Sequence, residues 1–363
     1  MNDRLSAELE SRIGALTMPV LGGQVDDYAK VRVSISGRSA IVELDLGFPA
    51  DYVGQELVES INEAVQDDPD VDTIELRLKA TVKTHGVQSQ LKPLRGVANI
   101  IAVASGKGGV GKSTTAVNLA LALARAGART GILDADIYGP SQPRMLGLSG
   151  QRPESQDGKT MYPLVAYGVE AMSMGFLVDE EEPMVWRGPM VTQALNQVMT
   201  QTNWGNLDYL IVDMPPGTGD IQLTLSERVP VAGAVIVTTP QDIALLDARK
   251  GLEMFRKVSV PVLGIIENMS THICSQCGHV ESIFGEGGGQ QLAKQKDVAL
   301  LGQLPLDITI REQADNGRPT VINQPDGEIS HAYQRCALRM TAALAAKRKD
   351  FSHKFPEIVV ESS

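Results

Sequence analysis

Residues 106 to 114 read Gly-Lys-Gly-Gly-Val-Gly-Lys-Ser-Thr, and few stretches of this length restrict a fold so tightly. Glycines let successive backbone N–H groups turn toward one point, and the resulting anion cradle works where a strand enters the loop and a helix N-terminus leaves it. The flanks meet that requirement. The apolar run Ile100 to Ala104 precedes the loop, and a helix-like stretch through Leu121 and Ala122 follows it. Strand, loop and helix in this order make the chain a candidate nucleotide hydrolase. The loop also carries an extra lysine, Lys107, ahead of the usual one, Lys112.

Further apolar runs recur between helical stretches at Thr130 to Leu133, Tyr209 to Val212, Ala234 to Thr238, Val262 to Ile266 and Leu300 to Leu304. Alternation of this kind implies a parallel sheet covered on both faces, with ligands bound beyond the carboxyl ends of its strands. The part before residue 80 reads differently. Leu5, Leu9 and Ile13 fall at helical spacing, as do Val53, Leu57, Ile61 and Val65; Val31-Val33-Ile35, Val42-Leu44-Leu46 and Ile74-Leu76-Leu78 alternate as strands do. The expected fold class is therefore α/β: a mostly parallel, doubly wound P-loop NTPase domain preceded by a small α+β domain. The expected boundaries are 1–80 for the small domain, 81–97 for a polar linker, 98–350 for the NTPase domain and 351–363 for a tail.

A chain of 363 residues has material for two such domains, and its net charge of −11 argues against a chain-wide nucleic-acid surface. Three cysteines, no charged-then-apolar leader within Met1 to Val20 and no long apolar run lead us to expect a cytoplasmic protein that binds neither nucleic acid nor membrane.

The glycine loop assigns its own roles. Gly106, Lys107, Gly108, Gly109, Val110, Gly111, Lys112, Ser113 and Thr114 surround the phosphates, Lys112 contacts the β- and γ-oxygens, and Ser113 offers its hydroxyl to Mg²⁺. Magnesium and an attacking water also need carboxylates beside the phosphates. Two strand ends supply them: Leu133-Asp134-Ala135-Asp136 and Ile211-Val212-Asp213-Met214-Pro215-Pro216-Gly217. Asp213 is the expected magnesium carboxylate, through water; Asp136 is the candidate for orienting the hydrolytic water or else a cap on Ile137 to Ser141; Asp134 is read as support.

With Lys107, Asp136 and the Asp-Met-Pro-Pro-Gly segment, the chain resembles the deviant Walker A ATPases, the group that includes MinD, ParA and the nitrogenase iron protein. Within that group Ala135-Asp136-Ile137-Tyr138-Gly139-Pro140-Ser141, Trp186-Arg187-Gly188-Pro189-Met190, Glu267-Asn268-Met269-Ser270 and the pair Cys274 and Cys277 resemble the Mrp/ApbC family of iron-sulfur cluster carriers, over roughly residues 95 to 345. The resemblance implies a homodimer in which Lys107 reaches the partner's nucleotide, much as an arginine finger does. It implies adenine recognition by Asn268, with Pro305-Leu306-Asp307 beside the base, so that ATP is the nucleotide. It also implies delivery of clusters to apo iron-sulfur proteins together with assembly factors.

Cys274 and Cys277 place two soft ligands near enough to share one metal centre. The family likeness favours a [4Fe-4S] cluster, whose four thiolates a homodimer would supply from two such pairs. Spacing alone leaves open zinc held with His272 and His279, a redox disulfide, and two thiols with no ligand role. Cys336 reads as a core or helix thiol. The small domain is similar to PaaD-like assembly domains, but where those carry Thr-Pro-x-Cys-Pro this chain has Gly47-Phe48-Pro49-Ala50-Asp51, without the cysteine; a docking module or a packing appendage is expected. Other functional classes that fit the loop are a MinD- or ParA-like spatial organiser, a zinc-stabilised P-loop ATPase and an electron-transfer ATPase.

Overall fold

A computed structural model describes residues 2–347 apart from 50, 66–67, 89–90, 156, 178–187 and 275; Trp186, Arg187 and the tail 351–363 therefore lie outside the described residues. The amino-terminal unit runs α1 (Asn2–Gly14), α2 (Val25–Tyr28), β1 (Ala29–Ser36), β2 (Ser39–Leu46), α3 (Gly54–Val65) and β3 (Thr73–Ala80). Its three strands form one sheet in the order β1-β2-β3, antiparallel between the first two and parallel between the last two. Val31, Val33, Val42 and Leu44 alternate onto the face that meets Leu9 and Ile13 of α1 and Leu57, Ile61 and Val65 of α3. Burying each of those large side chains contributes about 1.5–3 kcal/mol.

The second unit continues with β4 (Val97–Ala104), α4 (Lys112–Arg125), β5 (Thr130–Asp134), α5 (Gln142–Met145), β6 (Leu164–Ala166), β7 (Val169–Ser173), α6 (Gly188–Gln201), β8 (Leu207–Asp213), α7 (Asp220–Arg228), β9 (Gly233–Thr238), α8 (Asp242–Lys257) and β10 (Val262–Glu267). After it come the short strands β11 (His272–Ile273) and β12 (Val280–Glu281), then α9 (Gly288–Lys296), β13 (Leu300–Gln303), α10 (Ile308–Asp315), α11 (Thr320–Asn323) and α12 (Glu328–Ala346).

The main sheet has the order β13-β10-β9-β4-β8-β5-β7-β6 and is parallel except at the β6–β7 edge. Its strands are apolar on both sides because both sides are covered. In β4, Ile101 and Val103 enter the core under α4 and α12, whereas Ile100, Ala102 and Ala104 enter the core under α6 to α9. The strand β4 sits between β9 and β8, so the loop leaving it opens where the connections run to opposite sides of the sheet.

Helix α12 is shared between the units. Cys336, Ala337, Met340 and Leu344 pack into the main core, while Leu338 and Ala342 pack into the small one. Arg339 donates to Val20 O at 3.0 and 3.1 Å and to Leu301 O at 3.1 Å, and Tyr52 Oη donates to Ala122 O of α4 at 2.7 Å. The described residues of 81–96 carry no helix or strand, yet His85 is buried and Asn99 Oδ1 of β4 accepts from its backbone N–H at 3.0 Å. Among the described residues no helix is long and apolar enough to cross a membrane.

Candidate nucleotide site and cysteine hairpin

The glycine loop bends where only glycine is comfortable: Gly109 has φ 81° and Gly111, at the N-cap of α4, φ 80°. A β-carbon on Gly111 would lie 2.1 Å from Asn268 Nδ2, so the loop and the end of β10 are in close contact. Ser105 Oγ donates to Lys107 O at 2.8 Å, and Gly217 N, from the loop after β8, donates to Ser105 O at 3.0 Å. Gly106 to Thr114 thus form one loop and first helical turn, with Lys107 half-buried at its mouth.

Lys112 is buried and its Nζ pairs with Asp213 Oδ1 and donates to Ser113 Oγ at 3.0 Å. The structure thereby brings Lys112, Ser113 and Asp213 together from strands β4 and β8. Asp134, fully buried at the end of β5, accepts from Asp136 N at 3.1 Å, Ser141 N at 2.9 Å, Gln142 N at 3.0 Å and Ser173 Oγ at 3.3 Å. Its role is to shape the loop that carries Asp136. Burial, reinforced by the Asp213 charge, pushes its carboxyl up to about 7. Asp136 is raised by burial against the pull of Lys112, and the N–H groups of Gly139 and Tyr138 donate to its carboxylate. It therefore both stands beside the lysine and caps its own turn.

Two side chains have engagements that their sequence positions did not reveal. Asn268 Nδ2 donates to Val110 O at 2.9 Å and braces the phosphate loop, at the position where the family resemblance implies adenine recognition. Asp307 accepts from Thr309 N at 2.7 Å and Thr309 Oγ1 at 2.6 Å as the N-cap of α10, with Pro305 half-buried before it. Gln142 was missed altogether. It is buried, and its Nε2 donates to Asp213 Oδ2 at 2.9 Å and Ser113 O at 3.1 Å. Its position just after the acidic loop was the available signal.

The oxygen donors fit a hard divalent cation. Ser113 Oγ and the Asp213 carboxylate converge, and Ser141 Oγ and Gln142 Oε1 at the start of α5 are buried without a hydrogen-bond partner among the described residues. Magnesium there would draw on Ser113 and, through water, Asp213.

Cys274 and Cys277 occupy the tip of the hairpin β11–β12, where His272 pairs with Glu281 and Ile273 with Val280. Cys274 N donates to His279 O at 2.9 Å and Gly278 N to Cys274 O at 2.8 Å, closing a turn that needs the left-handed Gly278. Backbone N–H groups of Gln276 and Cys277 hold the Cys274 thiol below its usual range. His272 Nδ1 lies 3.1 Å from Leu306 O, and among the described residues no group of three His, Cys, Asp or Glu side chains converges to hold a metal ion. Cys336 is a core thiol of α12, pushed up to about 12 by burial.

A glycine loop on a central parallel strand, a lysine at the head of the next helix and carboxylates at two neighbouring strand ends define a P-loop NTPase. Comparison with known proteins agrees. The model of the ParA family described as the NUBPL iron-transfer P-loop NTPase matches residues 96–341. An iron-sulfur cluster carrier protein of Pseudomonas fragi is 63% identical over 269 residues, 74% of this chain and 94% of that protein. The iron-sulfur cluster transfer protein NUBPL of Mus musculus is 48% identical over 314 residues, 86% of this chain and 95% of that one. Among solved structures, a nucleotide-binding protein of Archaeoglobus fulgidus in complex with ADP superposes with a TM-score of 0.57 at 35% identity, covering 64% of this chain and 90% of that one. The cell division ATPase MinD of Pyrococcus furiosus shares the fold, with a TM-score of 0.51 at 21% identity over 67% of this chain and 98% of its own. The chain belongs to the ParA/NUBPL family of iron-transfer P-loop NTPases.

Proposed function

We propose that this chain binds and hydrolyses ATP and carries a labile [4Fe-4S] cluster between the Cys274 and Cys277 pairs of two copies of itself, handing it to apo iron-sulfur proteins in the cytoplasm. The observation that carries this reading is the two-cysteine hairpin tip without a third ligand among the described residues. Two thiolates are half of what such a cluster requires, so a second copy completes the site. The names of the relatives support the cargo, and the glycine loop supports the nucleotide.

In this account ATP displaces Lys112 from Asp213 onto the β- and γ-phosphate oxygens. Ser113 and, through water, Asp213 would hold magnesium, whose charge would offset that of the phosphates. Asp136 orients the water that attacks the γ-phosphorus, and Lys107 of the second copy stabilises the charge that develops. Asn268 links this site to the cargo: its amide holds Val110 O of the loop, and the backbone runs from it through Ser270, tied to Leu304 O at 3.0 Å, to His272 and Cys274. A change in the loop on hydrolysis would be passed along this ridge to the hairpin. The small unit serves as a docking module fixed to α12.

The test is transfer. Wild-type protein loaded with cluster under anaerobic conditions should restore the activity of a [4Fe-4S] apo-enzyme, Cys277→Ser should not, and Lys112→Arg, which keeps the buried cation, should lose hydrolysis and nucleotide control of transfer. Hydrolysis and transfer both intact in Lys112→Arg would reject the account.

A further inference from the structure

The Asp213 carboxylate is fully buried and both of its oxygens are engaged, Oδ1 by Lys112 Nζ and Oδ2 by Gln142 Nε2 at 2.9 Å. The same Gln142 nitrogen donates to Ser113 O at 3.1 Å. Both of these partners only accept, so the atom that meets them must be the amide nitrogen, and this fixes which way the side chain lies. Its Oε1 is buried without a partner among the described residues, and its backbone N–H donates to Asp134 Oδ2 at 3.0 Å. One side chain thus ties the first turn of α4 to the end of β8, and its backbone ties both to the end of β5.

These three segments carry the groups assigned to magnesium and to the hydrolytic water. When phosphates draw Lys112 away, Asp213 loses its buried cation, and Gln142 is the side chain that still holds it. With Oδ2 kept on Gln142, Oδ1 is the oxygen released when Lys112 moves, and the bond to the Ser113 carbonyl fixes the residue whose hydroxyl would join Asp213 in holding magnesium. An apolar side chain at 142 would let the carboxylate turn and would leave the Ser113 carbonyl without its partner.

We infer that Gln142 is the positioning residue for the magnesium site, acting through Asp213 and Ser113. The inference rests on the reading of Asp213 as the magnesium carboxylate. Groups that orient a ligand in this way typically change metal affinity about 10–100-fold when removed.

The experiment is an equilibrium titration of fluorescent ADP against the full chain, with EDTA and with graded Mg²⁺, for wild type, Gln142→Leu, Asp213→Asn and the double variant. Relative to its own ADP affinity in EDTA, Gln142→Leu should need about tenfold more Mg²⁺ than wild type to reach the tight complex. In the Asp213→Asn background, adding Gln142→Leu should raise the Mg²⁺ requirement by clearly less than the roughly tenfold expected in the wild-type background, because the carboxylate it positions is gone and only the Ser113 contact is left to lose. An unchanged requirement in Gln142→Leu, or fully additive effects in the double variant, overturns the inference. If Asp213→Asn alone leaves the Mg²⁺ requirement at the wild-type value, the reading of Asp213 fails instead. Where Gln142→Leu does not fold, Gln142→Met removes the amide at nearly the same length and volume, and the same two outcomes decide.

Discussion

Replacing Lys112 with alanine removes the cation from a buried cluster that also holds Asp213 and Asp134, all three at 6% exposure or less. Breaking a buried pair by deleting one partner typically costs about 3–5 kcal/mol, since the remaining charge has neither water nor counter-ion. Gln142 still donates to Asp213, which places the expectation at the lower end, about 3 kcal/mol at pH 8. The pH dependence follows from Asp134. Burial and the Asp213 charge raise its folded value to about 7, and Lys112 opposes the rise. An unfolded aspartate titrates near 3.9. The native state therefore holds the proton more tightly, so this group's contribution is most favourable below about pH 4 and declines as pH climbs toward about 7. Without Lys112 the rise is larger, and the gap between wild type and variant widens with pH. Urea unfolding without nucleotide, at matched m values, should give a gap of about 3 kcal/mol at pH 8 and about half that at pH 5.5. A gap below about 1 kcal/mol at pH 8, or one that grows toward acid pH, would refute the reasoning.

The glycine loop offers a sharper contrast. Gly111→Ala forces alanine to φ 80° and drives a β-carbon to 2.1 Å from Asn268 Nδ2, so the Asn268 bond to Val110 O must break; a loss of about 2–5 kcal/mol is expected. Gly108→Ala meets nothing within 4 Å and should stay within about 0.5 kcal/mol, and equal urea midpoints for the two variants would contradict the geometry. Iodoacetamide at pH 7.5 followed by peptide mapping should label Cys274 first, because backbone N–H groups favour its thiolate, and should reach the buried Cys336 only on unfolding. Labelling of Cys336 ahead of Cys274 would show that the hairpin is not as drawn.

Much of the fold was legible because its signals are local. Each parallel strand is a short apolar run whose neighbours in space are also apolar, so β4, β5, β8, β9, β10 and β13 could be read one at a time. The strand β7, between β5 and β6, was hidden because Glu170 interrupts its apolar run; its carboxylate is there to accept Gly205 N at 3.0 Å, a contact no window of sequence contains. Residues 81–97 read as a polar linker, yet Asn99 gives His85 a buried partner and Gln88 donates to Ser226 O at 2.9 Å. In the site, the residues of the glycine loop announce themselves by type and order. The Lys112, Asp213 and Gln142 cross-link does not, because it joins positions 101 and 71 residues apart. Asn268 shows the same limit: the family resemblance implies adenine recognition at its position, and only the fold shows its amide also donating to the phosphate loop.

The central claim is a cluster shared between two hairpin tips. Iron, acid-labile sulfide and zinc should be measured, with a visible spectrum, on anaerobically reconstituted wild type and Cys277→Ser. About four iron and four sulfide per dimer in wild type, lost in the variant, is the predicted result. Stoichiometric zinc in wild type, or iron and sulfide retained in Cys277→Ser, would contradict it.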